Sequence, residues 1–232
     1  MIPKKIHYCW FGRNPKPRLA EKCIASWRKY CPDYEIIEWN EDNFDVNMNG
    51  YTRMCIEQKK YAFLSDYVRL VVVAEYGGVY FDTDVELLRP LGELMENEAF
   101  YCFETPEYVA SGLGFGSVAQ GETIRAMLAE YDCLLDGTQG VRGCPLLNTS
   151  ALVRLGLKQN GTAQTVAEAR ILPKEYMNPF DPATGRMNKT NNTVSIHWYS
   201  AAWLSPWKRM RTRLMRPLHR VFGVDAFKRW RK

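Results

Sequence analysis

No apolar run in these 232 residues approaches the ~18 that a membrane-spanning helix needs, and the chain opens on the charged segment Ile2-Pro3-Lys4-Lys5. The expectation is therefore a chain without signal peptide or spanning helix, whose body works in the cytoplasm. Cysteines number seven (9, 23, 31, 55, 102, 133 and 144), an odd count with no C-x-x-C pair. That excludes a zinc knuckle and a disulfide framework, and it fits a reducing compartment. Internal repeats are absent, which excludes a solenoid. Gly112, Gly114 and Gly116 lack the spacing of a phosphate-binding fingerprint, because helix signals begin only at Gly121. What remains is a chain with 46% hydrophobic and 13% aromatic residues, long enough for one α/β domain with a sizeable core.

The informative stretch runs from Ser65-Asp66-Tyr67-Val68-Arg69 to Tyr76-Gly77-Gly78-Val79-Tyr80-Phe81-Asp82-Thr83-Asp84. Tyr61 to Glu75 carries Phe63, Tyr67, Leu70 and Val73/Ala74 at helical spacing. Gly77 and Gly78 are the expected helix stop, and Val79-Tyr80-Phe81 reads as a short strand. Asp82 and Asp84 then stand two apart at a strand end. The side-chain period of two predicts that both point the same way and grip one hard divalent cation. Asp66 and Arg69, three apart, share one helix face. An Asp-x-Asp match alone is weak, since ten Asp in such a chain give roughly 0.4 matches by chance; the ordered context gives it weight.

This segment resembles the sugar-binding region of glycosyltransferase family 32. Ile2-Pro3-Lys4-Lys5-Ile6-His7-Tyr8-Cys9-Trp10-Phe11-Gly12 is similar to that family's opening strand, and Ile196-His197-Trp198-Tyr199-Ser200-Ala201-Ala202-Trp203 is similar to its closing region. The resemblance implies a single GT-A-like domain with a mixed sheet flanked by helices, over residues 1–205. It also implies a retaining transferase that moves a sugar from a uridine or guanosine diphosphate sugar to a glycan acceptor. By the same resemblance Asp84 ligates the metal directly, Asp82 bridges ribose and metal, and Asp66 and Arg69 contact the donor sugar. His7, Trp10, Tyr80 and Trp203 are further candidates for donor contact. A third ligand is expected from the C-terminal region, His197 first and Ser200 second. Mn2+ or Mg2+ suits such ligation, and Mn2+ tolerates the imidazole better. With no lone nucleophilic carboxylate in view, front-face attack by the acceptor hydroxyl is expected. Gly143-Cys144-Pro145 and Asn148 are placed on the acceptor side.

Charge is uneven. Trp207 to Lys232 holds ten Lys/Arg and one acid, which leaves 21 basic and 25 acidic residues in 1–206. In residues 206–232, Met210, Leu214, Leu218, Val221 and Phe222 recur at helical spacing between Lys208, Arg209, Arg211, Arg213, Arg216 and Arg220, with Trp207 and Trp230 at the ends. Such a helix suits an anionic membrane surface, here the inner face, although a helix docked on the acidic body gives the same pattern. Pro217 is expected to kink or split it. No reading module for nucleic acid is visible. A cationic tail would set a transferase beside a polyprenyl-diphosphate-linked acceptor in capsule, exopolysaccharide or lipopolysaccharide synthesis.

Elsewhere strands are predicted over Lys5–Phe11, Tyr34–Trp39, Val85–Leu88, Phe100–Glu104, Ser111–Val118, Ala169–Leu172 and Thr193–Trp198. Helices are predicted over Pro17–Tyr30, Glu122–Leu135 and Leu146–Leu155, with a polar loop, Asn178–Asn192, as an acceptor-side lid. Two other readings compete. A phosphotransferase with a strand-end Asp nucleophile wants a Gly-Thr turn after the motif, where Val85-Glu86-Leu87 stands. A non-catalytic, metal-dependent glycan-binding or scaffold protein would not need Asp66, Arg69, Asp82 and Asp84 together.

Overall fold

The computed structural model describes residues 1–200 and 206–223. Strand β1 (Lys5–Cys9), helix α1 (Arg18–Tyr30) and strand β2 (Glu35–Trp39) form a βαβ unit, with β1 and β2 parallel in register Lys5 to Glu35. Helices α2 (Gly50–Glu57) and α3 (Tyr61–Tyr76) follow, and Asn49 caps α2 in a reciprocal box with Thr52. Strand β3 (Gly78–Tyr80) returns beside β1, on the side away from β2. After β4 (Val85–Leu87) come β5 (Ala99–Cys102), β6 (Phe115–Ser117), α4 (Glu122–Ala129) and α5 (Cys144–Arg154). The chain continues through β7 (Gln164–Val166), β8 (Ala169–Leu172), β9 (Ser195–His197) and α6 (Pro206–Phe222).

Seven strands make one mixed sheet in the order β2-β1-β3-β6-β5-β8-β7, and β4 pairs with β9 in a separate small sheet. Alternation along the central strands builds a core on each face. Tyr80, Ala99, Tyr101 and Phe115 join the side chains of α2, α3, α4 and α5. Val79, Phe81, Phe100 and Cys102 join the side chains of α1 and β4, and Val194 just before β9. Strands buried on both faces read as unbroken apolar runs, as these do. The chain steps from β1 out to β2, then back across β1 to β3. That reversal leaves a crevice beyond the carboxyl ends of β1 and β3, where sheets of this kind take ligands.

The Gly77–Gly78 pair does more than stop α3. Gly77, at φ 62°, donates to Val73 O at 2.9 Å and closes the helix. Gly78 lies at φ 117°, where a Cβ would meet His7 Nε2 and Lys5 O at 2.9 Å, so only glycine lets β3 lie against β1 here.

Two expected elements differ, and one strand was unforeseen. Ser111–Val118 is not one strand: a 3-10 turn covers Ser111–Leu113, Gly114 adopts φ 113°, and only Phe115–Ser117 pairs. The helix expected to reach Leu135 stops at Ala129 and a 3-10 turn spans Asp132–Leu134, which frees Leu135 O to accept from Tyr51 N at 3.1 Å. Strand β7 was not expected, since Gln164-Thr165-Val166 is short and carries no alternating apolar signal. All seven cysteines are free thiols and six are buried. No helix among the described residues is long and apolar enough to cross a membrane.

Candidate functional site

Asp82, Thr83 and Asp84 lie in a turn between β3 and β4. Val85 N donates to Asp82 O at 2.9 Å across it, so the two carboxylates converge through a turn and not through strand periodicity. The register of the small sheet supplies the third group: Val85 pairs with His197, and Trp198 N donates to Asp84 O at 3.0 Å. His197 Nε2 thereby lies 3.0 Å from Asp84 Oδ1, and Ser200 N donates to Asp84 Oδ2 at 2.7 Å. Each of Asp82, Asp84 and His197 offers a ligand atom within 4.8 Å of the others. His197 Nδ1 is buried without a hydrogen-bond partner. Two carboxylates and an imidazole are a fitting donor set for Mn2+ or Mg2+, with Mn2+ the better match to the nitrogen.

The electrostatics of the three are linked. Burial disfavours charge on Asp84, but His197 and the donors of Ser200 outweigh it and hold this carboxyl well below the usual range. Burial likewise disfavours the imidazolium of His197, yet Asp84 and Asp82 raise its pKa above 6.5. Asp82 is raised, chiefly by burial, against the pull of Arg69. A bound metal competes with the His197 proton, so Mn2+ affinity should fall as pH drops, beginning at a pH above 6.5. Isothermal titration from pH 8 to pH 5 tests this, and His197→Asn should flatten the profile and weaken binding by about tenfold or more.

Behind the turn, Arg69 is nearly enclosed, with 3% of its side chain exposed. Nη2 reaches Asp66 Oδ1 at 2.7 Å and Asp82 Oδ1 at 3.0 Å, while Nε donates to Ser65 O at 3.1 Å. Nη1 faces Ser111 Oγ at 3.4 Å and Cys144 Sγ at 4.0 Å. Its fork is thus spent on protein atoms, the two carboxylates among them. Burial pushes Asp66 up to about 6, less far than it would without Arg69. Tyr80 is buried, lies 4.9 Å from the Arg69 guanidinium, and donates to Asp82 Oδ1 at 3.0 Å. It therefore positions Asp82.

His7 is fully buried. Its Nε2 donates to Gly77 O at 2.9 Å and its Nδ1 accepts from Trp39 Nε1 at 3.1 Å, which fixes the neutral tautomer and braces the glycine turn. Burial lowers its pKa, in keeping with that neutral ring. Trp10 is half-buried at the end of β1, and its Nε1 donates to Asn14 O at 2.6 Å. Trp203 lies outside the described residues.

Several contributors carry no local sequence signal. Gly112 packs so closely that a Cβ would meet Asp82 Oδ2 at 2.7 Å and Arg69 Nη1 at 3.1 Å. Asn148 Oδ1 accepts from Ser111 N at 3.1 Å and fixes that turn, so Cys144 and Asn148 border the Asp66–Arg69 group. Tyr199, held at φ 49°, packs against His197 with ring centroids 4.1 Å apart and planes tilted by 48°, and donates to Glu104 Oε1 at 3.1 Å. The hints were the glycine spacing around residue 112 and, for Cys144 and Asn148, the family resemblance.

The Asp82–Asp84–His197 group and the Asp66–Arg69–Asp82 group thus meet just past the carboxyl end of β3, where the strand order reverses. Residues 17–101 match the family described as the glycosyltransferase sugar-binding region containing the DXD motif, the family-32-like region. Inositol phosphoceramide mannosyltransferase 3 of Schizosaccharomyces pombe is 28% identical over 49% of this chain and 33% of its own length. Subversion of eukaryotic traffic protein A of Legionella pneumophila is 27% identical over 40% of this chain and 20% of its own. The matched stretch is thus a third or less of either relative. Among solved structures, PaToxG Glycosyltransferase is similar with TM-score 0.54 and 18% identity, covering 66% of this chain and 69% of that one, a likeness of fold. Residues 17–101 are thus similar to a glycosyltransferase sugar-binding region of the Asp-x-Asp type, set here in a mixed α/β domain.

Proposed function

We propose that the chain is a metal-dependent, retaining glycosyltransferase that moves a sugar from a nucleoside diphosphate sugar to a glycan acceptor. The observation that carries this reading is the convergence of Asp82, Asp84 and His197 beside the Asp66–Arg69–Asp82 group. Bound by Asp82, Asp84 and His197, Mn2+ or Mg2+ would offset the charge that builds on the leaving diphosphate. Ser200 and His197 hold Asp84 ionised, and Tyr80 with Arg69 holds the orientation of Asp82. Asp66, with 15% of its side chain exposed, presents acceptor oxygens to the hydroxyls of the donor sugar. Trp10, at the mouth of β1, is placed for the nucleotide.

In the front-face reaction the acceptor oxygen bonds to the anomeric carbon as the bond to the diphosphate breaks. The electron pair leaves with the diphosphate, and the hydroxyl proton passes to a leaving phosphate oxygen. Residues 1–205 form the transferase unit in this reading, and 206–232 attach it to an anionic inner membrane face. The acceptor that suits such placement is a polyprenyl-diphosphate-linked glycan of capsule, exopolysaccharide or lipopolysaccharide synthesis.

A hydrolysis screen over uridine and guanosine diphosphate sugars, with Mn2+ and with chelator, tests the activity. One donor should be cleaved, and chelation should abolish cleavage. Turnover that survives the chelator would remove the metal from the reaction.

A further inference from the structure

Two features beyond the metal-ligating group share one wall. The first is a cavity of about 380 Å³ lined by Glu104, Asn178, Phe180, Asp181, Asn188 and Tyr199 among others. Tyr199 joins it to the site through its ring contact with His197. Asn178 is 7% exposed and donates to Glu104 O at 3.1 Å, while its Oδ1 has no partner. Carboxylates, amides and two aromatic rings are a lining suited to a hydroxyl-rich ligand.

The second feature is α6, which runs unbroken from Pro206 to Phe222 with Pro217 inside it, so the expected split does not occur. Its charged face is docked on the segment that walls the cavity. Arg216 Nε donates to Pro182 O at 3.1 Å, and His219 Nδ1 donates to Ala183 O at 3.1 Å. Arg220 donates from Nε to Thr184 O at 2.6 Å and from Nη2 to Gly185 O at 2.9 Å. Four successive carbonyls are gripped in this way. Gly185, at φ 68°, allows the approach, since a Cβ there would meet Arg216 Cδ at 3.0 Å. Arg216 also sits 5.2 Å from the ring of Phe180, a cavity residue.

On the opposite side of the helix Trp207, Met210, Leu214, Leu218 and Val221 are exposed, from 40% to 74%. At ~100° per residue they fall within one stripe about 80° wide. A helix of such high positive charge, with a proline inside it, gains little stability from its own backbone. Docking supplies partners for one face, and only an apolar medium suits the other.

We infer that α6 is a strut between a bilayer and the glycan acceptor cavity: an anionic lipid surface binds its outer face and thereby fixes the 179–188 wall. This inference rests on the proposed reading of the chain as a membrane-associated transferase. The lipid surface is favoured as occupant by the ten Lys/Arg of residues 207–232 and the tryptophans at both ends of that segment. Bilayer and cavity wall each bind the helical form, so each stabilises the other's contact.

The test uses the full chain with phosphatidylglycerol/phosphatidylcholine vesicles and with vesicles of phosphatidylcholine alone. Sedimentation reads binding, and hydrogen exchange reads the bonded amides of Asp181, Ala183, Thr184, Gly185 and Asn188. Anionic vesicles should bind and slow exchange of these amides by about tenfold, and neutral ones should do neither. Arg216→Ala with Arg220→Ala should still bind anionic vesicles, up to about tenfold more weakly by the same coupling, and lose the slowing. Leu214→Glu with Leu218→Glu should lose both while leaving docking intact. Binding without slowing, or slowing that survives loss of both arginines, overturns the strut and leaves the membrane reading standing. Absence of binding to anionic vesicles overturns both, although the donor screen would still decide the transferase activity. Slowing that instead tracks protein concentration without lipid would assign the apolar face to a second copy of this chain and sink the proposal.

Discussion

Asp84→Asn should lower kcat/KM for sugar transfer about a thousandfold or more, ~4 kcal/mol of transition-state stabilisation. Asp84 faces His197 with one oxygen and Ser200 with the other, and it is the carboxylate held most firmly ionised. The amide keeps the size and one acceptor oxygen, so the turn and the β4–β9 pairing should persist. The charge that grips a cation is gone. Transfer rate, Mn2+ affinity and melting temperature measured together separate the causes. Activity and affinity should collapse while melting moves little. Near wild-type transfer with intact folding would show that Asp84 does not hold the metal.

Arg69→Met should destabilise the fold by about 3–5 kcal/mol, lowering the melting temperature by roughly 10 °C, and should abolish transfer. The guanidinium is the cation between Asp66 and Asp82, and its removal leaves two carboxylates in a poorly solvated space. The pH dependence has a definite sign. Asp66 is already raised to about 6, mainly by burial, so the folded state binds the extra proton between its unfolded pKa and that value. Stability from this group therefore falls as pH rises through that window, and losing Arg69 widens it upward. The variant should melt closest to the parent near pH 5 and furthest from it near pH 8. Arg69→Lys should fold better but transfer poorly, because one ammonium cannot span Ser65 O, Asp66, Asp82 and Ser111. Equal melting of parent and Met variant at all pH values would mean that the carboxylates find other partners.

Both variants fall in a segment that was legible from the residues alone, and the reason is locality. Asp66 and Arg69 meet because they are three apart on a helix, and Gly77 ends that helix because its φ is positive. The Asp82–Asp84 pair was found for a partly mistaken reason. A turn closed by Val85 N brings them together, and the following residues leave the main sheet for a second one. His197 was placed by resemblance, since nothing near it in the chain announces a ligand. The Val85–His197 register sets it beside Asp84.

By itself the sequence determined the α/β class, the helix–glycine–strand frame and four of the charged residues, each through contacts within a few positions of the chain. Tertiary structure decided what joins residues far apart: the fork of Arg69 across to Asp82, the glycine contact at residue 112, and the hydrogen bond of Tyr199 to Glu104. It also decided that Arg216 and Arg220 of α6 face protein carbonyls while its apolar stripe faces out. An amphipathic pattern fixes that a helix has two faces, and only the partner packed against one of them fixes which face is which.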